Sequence, residues 1–366
     1  MYFKELELKD FRNYEDQRVE FHHRVNIIIG ENAQGKTNLI EALYMMSLGK
    51  SFRTPRDNEM IRFGSEIARI KTISQKEDRD LTVEIGLIKN KKSLKIDGVK
   101  KNRTSELLEN IYIVVFSPDD LKIVKEEPEK RRKFINRELC QLKPVYYDSL
   151  ARYKKTLNQR NFLLKEENPD FSMLDIWDAE LAEYGSRLIT ERSIFAKKLD
   201  IISHDIHTDL TDGSESLAVE YESDIPVAAD RKSQKEKFYE ILIACRSRDI
   251  ARRTTCRGPH HDDLKIEIDG IDVRKYGSQG QQRSAALSLK LAEIKLIEEE
   301  TGEKPILLLD DVLSELDKLR QKQLITSFGD IQIFITTTEI TDELNKELPE
   351  HAVFMVKKGK VERVKG

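Results

Sequence analysis

The sequence predicts a mixed α/β fold of the phosphate-loop type, interrupted by a helical insertion. Three observations carry that prediction. The run Gly30-Glu31-Asn32-Ala33-Gln34-Gly35-Lys36-Thr37 lies between a short apolar stretch and a helix-forming one, which is the setting a phosphate loop requires. A second apolar stretch, residues 306–309, ends in the acidic pair Asp310-Asp311. Between the two, apolar residues recur at helical spacing over more than a hundred positions.

In chain order, Phe3, Leu6, Leu8 and Phe11 give an imperfect strand alternation, and residues 25–29 are a β-branched run that reads as a buried strand. A helix follows from Asn38. Residues 67–73, 81–88 and 93–96 read as meander strands with turns at Lys89-Asn90 and Asp97-Gly98, and residues 111–116 as another buried strand. The character changes at Pro128. Tyr146, Leu150, Tyr153 and Leu157 share a helix face, as do Trp177, Leu181, Tyr184 and Leu188, continued by Phe195, Leu199, Ile202 and Ile206. With the break at residues 166–172, these make an antiparallel helical hairpin. A third helix is expected over 233–253. Strands at 264–268, 306–309 and 331–335, helices at 280–300 and 315–328, and a hairpin of 352–356 with 360–364 complete the chain. The expected organisation is one α/β domain, 1–127 with 258–366, around a helical insertion at 128–257.

Composition narrows the class. The 366 residues carry 63 basic and 66 acidic side chains, and 35% are charged against 39% apolar. The charge is mixed in sign, unlike the one-sign signature of disorder. The longest apolar runs, 111–116 and 352–356, fall far short of the ~20 residues that cross a bilayer. The start MYFKELELKD has no apolar signal region, and Cys140, Cys245 and Cys256 form neither a disulfide framework nor a CxxC pair. A soluble, cytoplasmic protein is expected. The formal net charge of −3 leaves partners open, since a local basic stripe suffices for nucleic acid. The Lys/Glu/Arg-rich, Gly-poor usage also resembles that of thermophiles.

The motifs carry the chemistry. In a phosphate loop, glycines let backbone N–H groups converge on phosphate oxygens at a helix N-terminus. Lys36 is placed to reach the β and γ phosphates, and the Thr37 hydroxyl to hold Mg²⁺. Asp310, closing an apolar strand, fits the partner carboxylate for Mg²⁺. Asp311 sits where an acid orients or deprotonates an attacking water. Ser278-Gln279-Gly280-Gln281 opens a helix. Alone it reads as a polar capping turn, but ahead of the Asp pair it resembles the signature motif of ABC-type ATPases, and Ser314-Glu315-Leu316-Asp317 resembles their D-loop. Arg246, Arg248, Arg252, Arg253 and Arg257 form a basic run, as do Arg53, Arg56 and Arg62 after the loop helix. Each run reads either as an acid-paired face or as a DNA-backbone contact. His260-His261-Asp262-Asp263 has ligand-type residues, but adjacent side chains point to different sides.

Further segments extend these: Phe11-Arg12-Asn13-Tyr14, Gly49-Lys50-Ser51-Phe52-Arg53-Thr54, Phe116-Ser117-Pro118, Arg131-Arg132-Lys133-Phe134, Gln159-Arg160-Asn161, Gly258-Pro259-His260, Gln279-Gly280-Gln281-Gln282-Arg283 and Leu309-Asp310-Asp311-Val312-Leu313-Ser314-Glu315-Leu316-Asp317. On these motifs the chain resembles, over essentially its whole length, the RecF family of bacterial recombination-mediator ATPases, relatives of SMC-type heads. The resemblance implies an ABC-type ATPase head and a weak, DNA-stimulated ATPase using ATP and Mg²⁺. ATP would drive a homodimer, with residues 278–281 completing the partner's nucleotide site. Arg12 and Asn13 would join the ATP site. It also implies binding to single- and double-stranded DNA near gaps and junctions, action with RecR and RecO to load RecA, and slow hydrolysis that resets the dimer. His261 and Asn136 depart from the family's usual Arg and Asp, and Thr336-Thr337-Thr338 occupies the switch position. An SMC-like head and a transporter subunit fit less well, since the insertion is too short for long coiled arms and a switch His is absent. A non-hydrolysing, nucleotide-gated scaffold is the remaining alternative.

Overall fold

The computed structural model describes residues 1–89, 91–167, 170–326, 329–340 and 348–365. The chain divides into two compact units: residues 1–122 with 286–366, and residues 123–285. The first unit opens with β1 (Tyr2–Phe11), β2 (Tyr14–Glu20), β3 (Val25–Ile29) and α1 (Lys36–Leu48). It continues with β4 (Ile67–Lys76), β5 (Arg79–Ile88), β6 (Lys91–Ile96), β7 (Val99–Lys101) and β8 (Ile113–Phe116). The second unit holds α2 (Pro128–Leu142), α3 (Pro144–Leu163), α4 (Met173–Leu210), β9 (Leu217–Glu222), α5 (Arg231–Arg252), β10 (Asp263–Ile268), β11 (Ile271–Asp272) and α6 (Val273–Tyr276). Helix α7 (Gln279–Thr301) begins in the second unit, and the first resumes with β12 (Ile306–Asp310), α8 (Lys318–Thr326), β13 (Ile333–Thr337), β14 (His351–Lys357) and β15 (Lys360–Lys365).

Two six-stranded sheets build the first unit. One is antiparallel, in the order β2-β1-β4-β5-β6-β7. Its strands alternate, with Ala68 and Ile70 of β4 and Leu81, Val83, Ile85 and Leu87 of β5 buried, as a sheet with one solvated face requires. The other has the order β15-β14-β3-β13-β12-β8, parallel from β14 to β8. Strands β8 and β12 are buried along their whole length, as expected where both faces are covered. Strands β3, β13 and β12 end side by side, with Asp310 opposite Thr336 and Thr337 opposite Ile29. Carboxyl ends of parallel strands are where such sheets place ligands.

The second unit is not purely helical. Prolines at the first positions of α2 and α3 start those helices, where a missing N–H costs nothing. Helix α4 runs unbroken for 38 residues, about 57 Å at about 1.5 Å per residue. Its apolar stripe lies against α3 and α5, with Leu181, Leu188 and Leu199 fully buried. Asp230 caps α5 by accepting from the backbone N–H groups of Lys232 and Ser233. Three strands, β11-β10-β9, form a small antiparallel sheet. Because β10 pairs with β9 residue for residue from Asp263↔Glu222 to Ile268↔Leu217, the strand expected to rejoin the α/β domain belongs to the second unit. The boundary therefore lies after Ala285, not after residue 257, and the leading boundary after Lys122, not after residue 127.

Six elements had no counterpart in the sequence reading, the short β11 and α6 among them. Strand β2 (YEDQRVE) buries only Tyr14 and Val19, and β7 is three residues long. Strand β9 is hidden between helices, and α2 is too charged to show a clean stripe. Residues 312–315 form a 3₁₀ turn, so α8 begins at Lys318 rather than residue 315. Asn90 of the expected turn, Asn168-Pro169 of the expected break and the end of the 315–328 helix lie outside the described residues.

Candidate active site

The loop between β3 and α1 is held by close packing on all sides. A Cβ at Gly30 would sit 2.4 Å from the Val356 carbonyl oxygen. Gly35, at φ 124°, would carry one 2.7 Å from the Asn13 amide nitrogen and 3.0 Å from the Tyr14 hydroxyl. Neither position admits a side chain. The buried Tyr14 hydroxyl donates to the Gly35 carbonyl at 2.9 Å, and burial pushes its pKa up, keeping it a donor. Asn13 donates to the Gln34 carbonyl at 2.8 Å and accepts from Asn38 at 2.8 Å. The Gln34 side chain accepts from the Lys358 N–H at 2.7 Å. Sequence reasoning missed Tyr14, Val356 and Lys358 as loop supports, because each meets the loop across a long chain separation.

Lys36 is only 3% exposed. Its ammonium donates to the carbonyls of Gly30 at 2.7 Å and Glu31 at 3.3 Å. The Thr37 hydroxyl donates to Asp310 Oδ1 at 3.1 Å, joining the start of α1 to the end of β12. Thr336, at the end of β13, reaches the same oxygen at 2.9 Å. Asp310 is 7% exposed, and desolvation raises its pKa against the lowering effect of those two hydroxyls. Two hydroxyls and a carboxylate are hard oxygen donors, the set Mg²⁺ takes when it uses few protein ligands plus phosphate.

Asp311 adopts φ 53°, the left-handed region, and ends the strand at once. Its N–H donates to Thr336 Oγ1 at 2.8 Å. Its carboxylate is partly exposed and has no hydrogen-bond partner among the described residues. Ser314 donates to the Asp311 carbonyl at 2.8 Å, and Asp317 accepts from the Arg320 N–H at 3.0 Å.

Arg12 is committed elsewhere. It donates twice to Glu41, at 2.7 and 2.8 Å, and once to the Glu59 carbonyl at 2.7 Å. Glu41 is fully buried on α1 and also receives Ser51 and, at 3.5 Å, Arg53. Arg12 thus fastens the turn after β1 to the loop helix. The other cations singled out by sequence are mostly paired: Arg56 with Glu59 at 3.4 Å, Arg62 with Glu15 at 3.0 Å, and Arg246 with Asp178 at 2.7 Å. Arg252 is exposed, with no partner among the described residues.

The signature segment lies in the second unit. Ser278 and Gln281 form a reciprocal capping box: the Gln281 N–H donates to the Ser278 hydroxyl at 3.2 Å, and the Ser278 N–H to Gln281 Oε1 at 3.0 Å. Ser278 and Gln279 are exposed. Of the two family departures, Asn136 accepts from Tyr146 and Arg192, while Asp262, 2.7 Å from Arg192, carries the charge there. His261 is exposed and its ring lies 4.2 Å from that of His260.

Comparison with known proteins covers the whole chain. Residues 2–362 match the model of the RecF/RecN/SMC N-terminal domain. The chain is 46% identical over 99% of its length, and 100% of the relative's, to the DNA replication and repair protein RecF of Lachnoclostridium phytofermentans. It is 43% identical to that of Clostridioides difficile, covering 99% and 98%. Among solved structures, the recombination mediator RecF-ATP in the RecFOR pathway superposes with TM-score 0.91 at 38% identity, covering 99% of this chain and 97% of that one. An Smc head domain from Pyrococcus furiosus shares the fold at TM-score 0.56 and 18% identity, covering 100% and 96%.

Proposed function

Because the chain belongs to the RecF family of SMC-type ATPases, we propose that it acts in DNA replication and recombinational repair as an ATP-driven switch whose nucleotide centre is residues 30–37 with Asp310 and Asp311. The observation that carries this reading is the Thr37–Asp310 hydrogen bond of 3.1 Å. It supports the reading by joining the loop hydroxyl that follows Lys36 to the acid closing the second strand. On nucleotide binding, Lys36 exchanges two backbone carbonyls for β and γ phosphate oxygens, a gain in charge-assisted bonding. Thr37 and Asp310 are the residues that would hold Mg²⁺, which when bound neutralises phosphate charge. The free carboxylate of Asp311 orients the attacking water and accepts its proton. Arg12 and Asn13 support this centre by fixing α1 and the loop.

The exposed Ser278 hydroxyl and the N-terminal amides of α7 suit a γ-phosphate presented by a second chain. Two-fold symmetry then yields two completed sites per dimer. ATP offers that contact and ADP does not, which makes dimerisation nucleotide-dependent. DNA, RecR and RecO are the partners this switch would serve, in the cytoplasm, with weak DNA-stimulated hydrolysis resetting it. The test is light scattering with no nucleotide, ADP or ATP, each with and without gapped DNA. A dimer with ATP alone, lost in Ser278→Arg but kept in the cap-preserving Ser278→Asn, is the expected outcome. A Ser278→Arg dimer as tight as the parent's would reduce the segment to a helix cap.

A further inference from the structure

The antiparallel sheet of the first unit has a solvent face whose charges follow the strand register. One cross-strand row reads Arg18, Glu7, Lys71, Glu84, Lys95, Lys100 from β2 to β7. Signs alternate along it, and the alternation is satisfied by contacts: Lys71 lies 3.2 Å from Glu7, and Lys95 3.1 Å from Glu84. It fails at the last step, where Lys95 stands directly opposite Lys100. Like charges directly opposite destabilise a sheet. The neighbouring rows on the same face are Lys9, Arg69, Gly86, Ser93 and Ile67, Ile88, Lys91. Arg69 shares Glu84 with Lys95, at 3.0 Å. Over β4 to β7 this face carries five cations, Arg69, Lys71, Lys91, Lys95 and Lys100, against two carboxylates, Glu84 and Asp80, and Asp80 is held by Lys4 at 2.6 Å. Lys91 and Lys100 are exposed and have no carboxylate partner among the described residues.

Lysine on an edge strand commonly serves only to block pairing with another sheet. That accounts for Lys100 on β7 and for Lys91, on the part of β6 that β7 does not reach, but not for Lys95 on β6 or Arg69 on β4, which have strands paired on both sides. The middle of the face is also low. Gly86 has no side chain between Arg69 and Ser93, and a Cβ there would lie 2.5 Å from the Ser93 hydroxyl. Ile67 and Ile88 beside it are 53% and 42% exposed. The face from β4 to β7 is about 14 Å across at about 4.8 Å per strand, the rise of about four nucleotides at about 3.4 Å each.

We infer that this face, with Lys91, Lys95, Lys100 and Arg69 around the Gly86 depression, is a sequence-independent contact for a DNA phosphate backbone. The inference rests on the DNA-binding reading above and adds the residues that make the contact. They differ from the arginines singled out in the sequence, most of which are spent on carboxylates: Lys91 and Lys100 have no carboxylate partner among the described residues, and Lys95 and Arg69 share one, Glu84.

The experiment is DNA binding by the full chain carrying Lys91→Gln, Lys95→Gln and Lys100→Gln together. A fluorescein-labelled duplex with a single-stranded gap is titrated over a series of salt concentrations, with ATP present. The expected result is affinity at least about tenfold weaker near 150 mM salt, with a log K against log salt slope shallower by about 2 to 3. ATP-dependent dimerisation, read by light scattering on the same samples, stays at the parent's level. Parental affinity and slope in the triple variant overturn the inference, and assign the face to a protein partner or to edge protection. If the parent itself binds no DNA under any nucleotide, the DNA-binding reading fails first, a separate result.

Discussion

The second unit and the phosphate loop of the first both bury charge, yet they use it in opposite ways. In the second unit Arg160 is fully buried and bonded to Asp178 at 2.7 Å, Asp249 at 2.8 Å and Thr255 at 2.8 Å. Arg192 is likewise held by Asp262 at 2.7 Å and the Pro259 carbonyl at 2.6 Å, and Asp262 receives Tyr221 and the Asp224 N–H as well. These charges answer one another within α3, α4, α5 and the segment before β10. In the first unit Lys36 has only backbone carbonyls, Asp310 only hydroxyls, and the Asp311 carboxylate no hydrogen-bond partner among the described residues. A charge that the protein leaves uncompensated is one it holds for a ligand. Burial alone does not mark a functional site.

The contrast breaks most visibly at Asp311. Asp311→Asn should leave nucleotide binding near the parent's and slow hydrolysis about 10²- to 10⁴-fold, because an amide accepts no proton. Single-turnover hydrolysis alongside nucleotide titration checks it, and a parental rate would remove Asp311 from the chemistry. Next is Arg160→Ala, which leaves buried Asp249 without a cation and Asp178 with Arg246 alone. A loss of about 3–5 kcal/mol is expected in chemical denaturation, a cost out of reach for a merely exposed pair.

A pH titration sharpens the same point. Burial, aided by His261, pushes the His260 pKa down to about 4. Between about pH 6.5 and that value the unfolded chain binds a proton that the folded one does not, so stability rises with pH across this window. His260 Nε2–H donates to the Thr255 carbonyl at 3.1 Å, so in the neutral ring Nδ1 accepts from the Tyr153 hydroxyl at 2.7 Å. Thermal unfolding of His260→Gln should show a flatter profile from pH 4 to 6.5. The smallest effect belongs to the α7 cap. Ser278→Ala should cost about 1 kcal/mol and Ser278→Asn much less, read as a difference in melting temperature.

What was legible in the sequence follows from how each residue acts. The phosphate loop, Lys36, Thr37 and the Asp310-Asp311 pair are legible because backbone amides, a lysine and strand-terminal acids must occur at fixed offsets. Long helices were legible too, since α3 and α4 repeat their apolar contacts over many turns. Strands β2 and β9 were not, because register with β1 and β10 stabilises them rather than their own pattern. The reach of the second unit to Ala285 was hidden for the same reason. Thr336 was visible as a departure from a switch His, but its bond to Asp310 needs the register of β12 with β13. Arg12 read as a nucleotide contact, and only the position of buried Glu41 one turn into α1 shows what its guanidinium holds.

The central claim is that Lys36 is held for phosphate and not for the fold. Its removal leaves two carbonyls without a donor but no stranded acid, so Lys36→Met should shift stability by only about 1 kcal/mol. Fluorescent-ATP binding by Lys36→Met, in a sample whose melting temperature stays near the parent's, is the direct measurement. The account requires binding to be lost while the fold persists. Binding at the parent's strength, or loss of binding only because the chain unfolds, would contradict it.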